Sequence, residues 1–200
     1  LFNVITGYSR PPEYQHFAVA PHGLRTFFCR RIRQETENAR KGLPCGITAK
    51  VNSLVDPEII SLLYVASQAG VPIQLIVRGI CCLIPGLESI SDNIQVVSIV
   101  GQLLEHSRIF RFENAGDPKV FMGSADWMPR NLDRRIELVF PIEDEDLKQR
   151  AFGILDTLLS DNTNARVMQQ DTTYVHVNRR GKAVFSSQLA FYREAQEKIK

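Results

Sequence analysis

The spacing of apolar residues changes along the chain, and each spacing predicts a different element. The first clear pattern places apolar residues three and four positions apart, which is typical of an amphipathic helix: Leu24, Phe27, Phe28 and Ile32. Gly42 marks the end of that helix. Residues 45–54, CGITAKVNSL, then alternate apolar and polar side chains as a strand does. The opening residues 1–8, LFNVITGY, are also expected to be helical.

The next segments carry boundary signals as well as periodicity. Residues 56–70, DPEIISLLYVASQAG, predict a helix with Asp56 as its N-cap, Pro57 in the first turn and Gly70 at the C-terminal stop. Residues 71–79, VPIQLIVRG, form a continuous run rich in β-branched side chains. Such a run suits a strand that is buried on both faces of a sheet.

The second half of the chain predicts a hairpin and more helices. Residues 107–126, SRIFRFENAGDPKVFMGSAD, are expected to form a β-hairpin that turns around residues 114–118. Further strands are expected at residues 93–101 and 134–142, an extended segment at 172–184, and helices at 144–161 and 186–200. Strands and helices alternate early and a hairpin follows, so the predicted class is α/β, with a mixed β-sheet flanked by helices.

Composition limits the class of protein without identifying it. Two hundred residues fit one large domain or a domain with extensions. The 24 basic and 22 acidic residues leave a net charge of only +2, so a surface for non-specific nucleic-acid binding is not expected. No apolar run approaches the roughly 18 residues that a membrane-spanning helix needs. The four cysteines form no CxxC pair, and the adjacent Cys81 and Cys82 are expected to be small buried side chains in a reducing compartment.

Polar residues at the ends of predicted strands are the first candidates for chemistry. Lys50 and Asn52 lie near the end of one strand, and Arg78 follows the next. In an open α/β sheet, ligands bind outside the carboxyl ends of the strands. A buried arginine needs a carboxylate partner or a ligand, and for Arg78 the sequence leaves both possibilities open.

The segment GQLLEHSRIFRF, residues 101–112, places a histidine and an arginine in an otherwise apolar stretch. If it is extended, His106 and Arg108 point to the same face, with Ser124 and Asp126 on the return strand of the hairpin. An imidazole can attack phosphorus or move a proton, while a cation and a hydroxyl hold phosphate oxygens. A lone histidine on a strand is more often structural, and it is the combination that favours phosphoryl chemistry.

These positions resemble a known signature. The pattern H-x-R-(x)4-E-(x)9-G-S-x-D is formed by His106, Arg108, Glu113, Gly123, Ser124 and Asp126. It is similar to the phospholipase D signature H-x-K-(x)4-D-(x)6-G-S-x-N, and this resemblance implies a phospholipase D-like fold. The chain departs from the signature by Arg for Lys, Glu for Asp, Asp for Asn and a longer hairpin. These departures put phosphodiesterase activity in doubt.

Longer blocks resemble the bacterial polyphosphate kinases of the histidine-phosphorylating type. The blocks are LFNVITGYS, KVNSLVDPEIISLLYVASQAGVPIQLIVRGICCLIPG, SIVGQLLEHSRIF, GSADWMPRNLDRRIELVFPI and LLSDNTNAR, between Leu1 and about Tyr174. The resemblance implies a magnesium-dependent kinase that moves the terminal phosphate of ATP reversibly onto inorganic polyphosphate. It also implies two phospholipase D-like domains. The first carries the histidine that is phosphorylated, and this chain resembles the second.

Carried over residue by residue, the resemblance implies roles for two side chains. The arginine that binds the ATP phosphates falls on Arg78. The histidine that contacts the nucleotide phosphates, and that is proposed to donate a proton to the leaving group, falls on His106. The nucleophilic histidine has no counterpart, because His16 and His22 lack the family's flanking residues. Gln102 stands where the family pattern has arginine, which would weaken one contact along the phosphate path.

Lys50 and Arg108 are further candidates for binding ATP or phosphate. Weaker candidates are Asn52, Ser124, Asp126, Arg130 and Arg134. The basic members would add positive charge along a polyphosphate channel. As an alternative, Arg134 and Arg135 would pair with Glu137 and the acidic run at residues 143–146. Trp127 and Met128 are expected in the core rather than stacked on a nucleotide.

The expected organisation has three parts: a lead-in from a preceding domain at residues 1–20, the phospholipase D-like domain at 21–175, and an extension at 176–200. The expected partners are ATP or ADP, inorganic polyphosphate, preceding domains of the same polypeptide and further copies of it, but not nucleic acid. The ligands of the Mg²⁺ that the resemblance implies are expected outside this chain. The expected location is the cytoplasm, with a peripheral position on the inner membrane face as the alternative.

Two functions other than a kinase also agree with the sequence. One is a phosphodiesterase that acts on nucleic acid or lipid by pairing its H-x-R segment with that of a second copy. The other is a non-catalytic module that binds polyphosphate or nucleotide. The 200 residues by themselves are expected to bind phosphate chains weakly and to turn over nothing.

Overall fold

A mixed sheet forms the centre of the molecule, and helices cover both of its faces. The structure is a computed structural model that describes Thr6, Tyr14 and residues 16–198. Its strands are β1 (Ala18–Ala20), β2 (Ile47–Val51), β3 (Ile73–Val77), β4 (Ile94–Ile99), β5 (Ile109–Phe112), β6 (Lys119–Gly123), β7 (Glu137–Pro141), β8 (Ala165–Met168) and β9 (Tyr174–His176). In the described residues they form one nine-stranded sheet in the order β1-β7-β6-β5-β2-β3-β4-β8-β9.

Five helices are seen in the part of the chain that the structure describes. They are α1 (Leu24–Arg40), α2 (Pro57–Gln68), α3 (Pro129–Asp133), α4 (Glu145–Leu159) and α5 (Ser187–Glu197). Three begin with a side chain that accepts a hydrogen bond from the free backbone N–H groups of the first turn. These N-caps are Asp56 on α2, Asp144 on α4 and Ser186 on α5. The predicted caps at Asp56 and at the closing serine are therefore confirmed.

The strand directions bring the ends of several strands to one edge of the sheet. β2, β3 and β4 run parallel to one another, and the other neighbouring pairs in the sheet are antiparallel. The last residues of β2, β3 and β4 therefore lie at one edge of the sheet. Because β5 is antiparallel to β2 and β6 to β5, the start of β5 and the end of β6 lie at this same edge. We call it the carboxyl edge.

Two apolar cores hold the layers together. The larger core packs α1 and α2 against one face of the sheet through side chains such as Phe28, Ile59 and Phe110. Trp127 is fully buried in it, as expected, and contacts Phe28 and Phe110. The smaller core packs α4 against the opposite face through Leu155 and its neighbours. The α/β class with a mixed sheet between helices is confirmed.

Some predictions differ from the structure. Two short strands, β1 and β8, were not predicted because three or four residues are too few to show periodicity. Cys82 is exposed rather than buried, because the chain after β3 turns into a loop, and Cys81 is only partly covered. All four cysteines are unpaired. The helix predicted at residues 1–8 lies outside the described residues. None of the described helices is long and apolar enough to cross a membrane.

The C-terminal segment packs onto the rest of the domain. β9 pairs with β8 and so extends the sheet, while α5 contacts α4. The buried carboxylate of Asp161 joins this segment to the end of α4. One of its oxygens accepts backbone N–H groups of residues 163–165, and the other accepts the N–H and hydroxyl of Ser187 at 2.8 and 2.7 Å. Burial opposes ionisation, but these hydrogen bonds outweigh it and lower the pKa of Asp161.

Asp161→Asn is expected to lower the free energy of unfolding by about 2–3 kcal/mol near pH 7, because the amide cannot accept on both sides. The native pKa is depressed, so this stabilisation is complete above the unfolded-state pKa of about 3.9 and is lost as pH falls through the folded value. Urea denaturation near pH 7 and near pH 3 should show the difference shrinking in acid. Asp144→Asn is the matched control, since asparagine caps a helix as well as aspartate. A difference that is equal at both pH values would argue against this role.

Candidate active site at the carboxyl edge

The carboxyl edge gathers most of the candidate residues. Lys50 is the fourth residue of β2 and Asn52 follows that strand, while Arg78 directly follows β3. His106 and Arg108 lie just before β5, and Asp126 lies shortly after β6. Because these strand ends meet at the same edge, residues from four separate segments come together there.

His106 lies on a loop and not on a strand, so the expected extended segment at 106–112 is wrong in its first part. β5 begins at Ile109, which is paired with Lys50 at the end of the β2–β5 ladder. Beyond that pair, the carbonyl groups of Glu105 and Ser107 accept hydrogen bonds from the Lys50 ammonium instead of from a strand. The loop therefore bends over the carboxyl edge, where the His106 side chain is exposed.

Asp126 is the buried anion of the site. It is 6% exposed and accepts a bidentate pair from Arg108, with Nε–Oδ1 at 3.2 Å and Nη2–Oδ2 at 2.9 Å. The backbone N–H of Asn52 donates to the same carboxylate at 2.6 Å. Burial raises the pKa of Asp126, but the hydrogen bonds from Arg108 and Asn52 prevail and lower it. The carboxylate thus ties the segments after β2 and β6 to the segment before β5.

Arg108 also holds the candidate histidine. Its Nη1 lies 3.0 Å from His106 Nδ1 and donates to the His106 carbonyl at 2.9 Å. The Nη2 of the same guanidinium lies 3.5 Å from the other ring nitrogen, Nε2. Arg108 therefore holds both the backbone carbonyl and the ring of His106. The pairing of His106 with Arg108 was foreseen, although on a strand rather than in a loop.

Lys50 is a buried cation beneath the loop. It is 1% exposed, and its Nζ donates to the carbonyl groups of Glu105 at 3.2 Å and Ser107 at 3.0 Å. Burial lowers its pKa to about 8, with Glu105 opposing the shift and Arg78 and Arg108 adding to it. These mutual effects show that the three cations share one electrostatic environment.

Arg78 has no carboxylate partner among the described residues. Its Nε is buried without a hydrogen-bond acceptor, and the side chain lines a cavity of about 430 Å³. The following residue, Gly79, sets its position, because a Cβ there would lie only 2.9 Å from the Asn52 carbonyl oxygen. Of the two possibilities that the sequence left open, a structural ion pair is not found among the described residues, and a ligand for Arg78 stays a prediction.

One residue of the site was not predicted. Gln188, at the start of α5, is 6% exposed and makes two hydrogen bonds with Leu103 on the loop that carries His106. Its Nε2 donates to the Leu103 carbonyl at 2.7 Å, and its Oε1 accepts the Leu103 N–H at 3.1 Å. No motif marks this glutamine, and only its place in the first turn of a serine-capped helix could have suggested a role.

Three candidates lie apart from this group. The Ser124 hydroxyl donates to Glu137, which also accepts from Asn131 and so supports the short helix α3. Arg130 and Arg134 are exposed on and after α3. Neither Arg134 nor Arg135 forms an ion pair with Glu137 or the acidic run in the described structure. The alternative that those arginines pair internally is therefore not supported.

Comparison with known proteins identifies the family of the chain. The family model of the polyphosphate kinase C-terminal domain 2 matches residues 17–188. The chain belongs to the polyphosphate kinase family. The resemblance to that family found in the sequence is thus confirmed, with the chain matching a C-terminal domain of it.

Bacterial polyphosphate kinases align with almost the whole chain. The relative in Lactiplantibacillus plantarum is 48% identical over 200 residues, and that in Escherichia coli K12 is 46% identical over 192 residues. The alignments cover 100% and 96% of this chain but 28% of each relative. The chain therefore spans less than a third of the length of these curated relatives.

Solved structures of two proteins superpose on the fold of this chain. The polyphosphate kinase of Porphyromonas gingivalis superposes with a TM-score of 0.93 at 38% identity, over 98% of this chain and 30% of that one. The phospholipase D family member Nuc of Salmonella typhimurium superposes with a TM-score of 0.53 at 15% identity, over 76% of this chain and 96% of that one. The second likeness shows the fold alone, and it confirms a phospholipase D-like fold.

Among the described residues, there is no group of three or more His, Cys, Asp or Glu side chains that could hold a metal ion. The acidic side chain at the centre of the site, Asp126, is already engaged by Arg108 and Asn52. The Mg²⁺ that the resemblance implies stays a prediction.

Lys50→Met is expected to reveal the buried ammonium through the pH dependence of stability. Between the folded pKa of about 8 and the unfolded value of about 10.4, the unfolded chain binds more protons, so the lysine's contribution to the free energy of unfolding rises with pH. The wild type minus variant difference should increase by about 1–2 kcal/mol from near pH 7.5 to near pH 9.5, as measured by urea denaturation. Titrations of other groups cancel in this difference. A constant difference would contradict the buried cation.

Proposed function

We propose that this chain forms one half of a polyphosphate kinase active centre, which transfers the terminal phosphate of ATP reversibly to inorganic polyphosphate through a phosphohistidine on a preceding domain. The observation that carries the proposal is the partnerless Arg78 guanidinium near Lys50 and Arg108 at the carboxyl edge. Such an edge attracts phosphate oxygens, and the chain's relatives are polyphosphate kinases.

The side chains of the site have separate roles in this proposal. Arg78 binds phosphate oxygens of ATP through its planar fork. Lys50 adds positive charge next to the loop that carries His106, and it holds that loop through two backbone carbonyl groups. Phosphoryl transfer needs mainly positioning and charge neutralisation, and these residues supply both. Arg130 and Arg134, which are exposed, would act only at the periphery of a phosphate channel.

The first chemical step is a displacement at phosphorus. A histidine nitrogen of the preceding domain forms a bond to the γ-phosphorus of ATP, and the bond to the bridging oxygen breaks, which leaves ADP. His106, held by Arg108, faces the leaving oxygen and stabilises it by a hydrogen bond. The terminal oxygen of a polyphosphate chain then forms a bond to the phosphorus of the phosphohistidine. The N–P bond breaks, which releases the histidine and lengthens the chain by one unit.

The loop around His106 offers a surface for the preceding domain. Val100, Leu103 and Leu104 are 68%, 57% and 72% exposed, although they lie beside a polar site. Grouped exposed apolar side chains are typical of a protein interface. In the proposal, domains of the same polypeptide cover this loop, bring the nucleophilic histidine and supply any ligands of Mg²⁺. Assembly into a homo-oligomer stays a prediction.

The proposal places the reaction in the cytoplasm. The four free cysteines support a reducing compartment. A peripheral position on the inner membrane face stays a prediction of the sequence.

Arg78→Ala and His106→Ala, made in the complete polypeptide, are each expected to lower the rate of polyphosphate synthesis by roughly 10²-fold. This is the usual effect of removing an electrostatic or hydrogen-bonding group from a transition state. Synthesis is measured from radiolabelled ATP. The matched controls are Arg40→Ala, at the end of α1, and His16→Ala, next to Glu143; both side chains are exposed.

Two results would contradict the proposal. One is turnover of ATP by the 200-residue chain alone, which has no candidate for the nucleophilic histidine. The other is hydrolysis of a generic phosphodiester that is lost in His106→Ala, since this would identify a phosphodiesterase instead.

Arg108→Lys is expected to lower kcat about tenfold or more with little change in the KM for ATP, because Arg108 positions His106 rather than binding substrate. An ammonium cannot bridge Asp126 and the imidazole as the planar guanidinium does. Nitrogen-15 NMR signals of the His106 ring should differ between the wild type and the variant, because the ring loses the contacts of the guanidinium. Arg40→Lys is the control. Loss of activity with unchanged His106 signals would mean instead that Arg108 contacts the substrate.

A further inference from the structure

A second group of basic side chains lies next to Arg78, on the side away from His106 in the order of the strands. The cavity of about 430 Å³ that Arg78 lines extends over the neighbouring strands β4, β8 and β9. Its volume is within the range of about 300–1,000 Å³ that is usual for ligand sites. Arg166 and His176 line its far side, and nothing in the sequence patterns had singled them out.

The sheet register places these side chains in one row. Ser98 on β4 pairs with Arg166 on β8, and Arg166 pairs with His176 on β9. Directly paired residues of neighbouring strands project from the same face of a sheet. The row starts beside Arg78, whose carbonyl accepts a hydrogen bond from the Ser98 hydroxyl at 3.1 Å. Arg78 and the row therefore line one continuous surface.

The charge of this cavity is not balanced within the described structure. None of the residues that line it is Asp or Glu. Of the described side chains, Arg78, Arg166 and His176 take part in no ion pair with a carboxylate and in no side-chain hydrogen bond. The buried Nε of Arg78 in particular has no acceptor. A cavity with two guanidinium groups and an imidazole, and no carboxylate, favours an anion.

The polar neighbours fit a chain of phosphate groups better than a single ion. Besides the two guanidinium groups and the imidazole, the lining offers the Ser98 and Thr163 hydroxyls and the Asn164 amide. Ser98, Arg166 and His176 follow one another across three strands, which are spaced about 4.8 Å apart. A linear anion with a charge on every unit can contact each strand in turn, whereas one phosphate ion reaches only one of them.

We propose that the cavity between Arg78 and His176, with Arg166 at its centre, is a binding site for the linear inorganic polyphosphate chain. This inference rests on the proposed function, because it assigns ATP to Arg78 and His106 and places polyphosphate on the adjoining strands. Arg78 then lies between the two substrates. Arg166 and His176 would contact polyphosphate and not the nucleotide.

The test is calorimetric titration of the 200-residue chain with two probes, a polyphosphate of defined length and ATP. Arg166→Ala/His176→Ala is expected to raise the Kd for polyphosphate about tenfold or more, the effect of losing charge-assisted hydrogen bonds. The Kd for ATP should change less than about twofold. The matched control is Arg40→Ala/His16→Ala, which removes the same two side-chain types from exposed sites elsewhere. Thermal unfolding checks that both variants remain folded.

The other outcomes are distinguishable. If the double variant binds polyphosphate as the wild type does, or if the wild type does not bind it, the cavity is not a polyphosphate site. If affinity for ATP falls as much as affinity for polyphosphate, the cavity holds nucleotide phosphates, and the inference is overturned. In each case, a roughly 10²-fold loss of synthesis in Arg78→Ala and His106→Ala would still support the proposed kinase function.

Discussion

The candidate site depends on one buried ion pair, between Asp126 and Arg108. Neither side chain would be stable alone at this depth, because removing a charge from water costs several kcal/mol unless a partner compensates. The pair is completed by the backbone N–H of Asn52, so three segments distant in sequence meet at one carboxylate. Arg108 uses its remaining donors on His106. The orientation of the imidazole is therefore a consequence of how the sheet satisfies a buried charge.

This arrangement also separates the cations of the site by function. Arg108 lies close to the imidazole but is occupied by Asp126, and Lys50 is occupied by two carbonyl groups. Arg78 lacks such partners and is the cation of the group that is free to bind an anion in the described structure. A short motif that counts basic residues cannot make this distinction, because it depends on which donors the fold has already used.

Much of the fold could be predicted because it is encoded locally. Helices α1, α2, α4 and α5 and the strands β2 to β4 follow from periodicity, caps and glycine stops, all of which act within a few residues. The strands β1 and β8 could not be predicted in this way. β1 and β8 are short strands that exist because β7 and β4 offer open hydrogen-bonding edges, and no local pattern records that.

In the site, too, features encoded within a few residues could be predicted, and features that depend on distant residues could not. His106 and Arg78 were found from sequence because each stands out against an apolar neighbourhood. The strand expected at His106 was wrong because Lys50, more than fifty positions earlier, binds the carbonyl groups that a strand would need. Gln188, Arg166 and His176 were missed for a related reason. Their importance comes from packing and register, which join residues that are far apart in the sequence.

The hydrogen bonds between Gln188 and Leu103 have a consequence for the order in which the molecule is built. The two residues are 85 positions apart, so ribosomes that add about 5–20 residues per second make Gln188 on the order of ten seconds after Leu103. During that interval Lys50 can already bind the carbonyl groups of Glu105 and Ser107. The hydrogen bonds that hold Leu103 have not yet formed, because Gln188 is still missing. The loop that carries His106 therefore reaches its final set of hydrogen bonds only after α5 has been made.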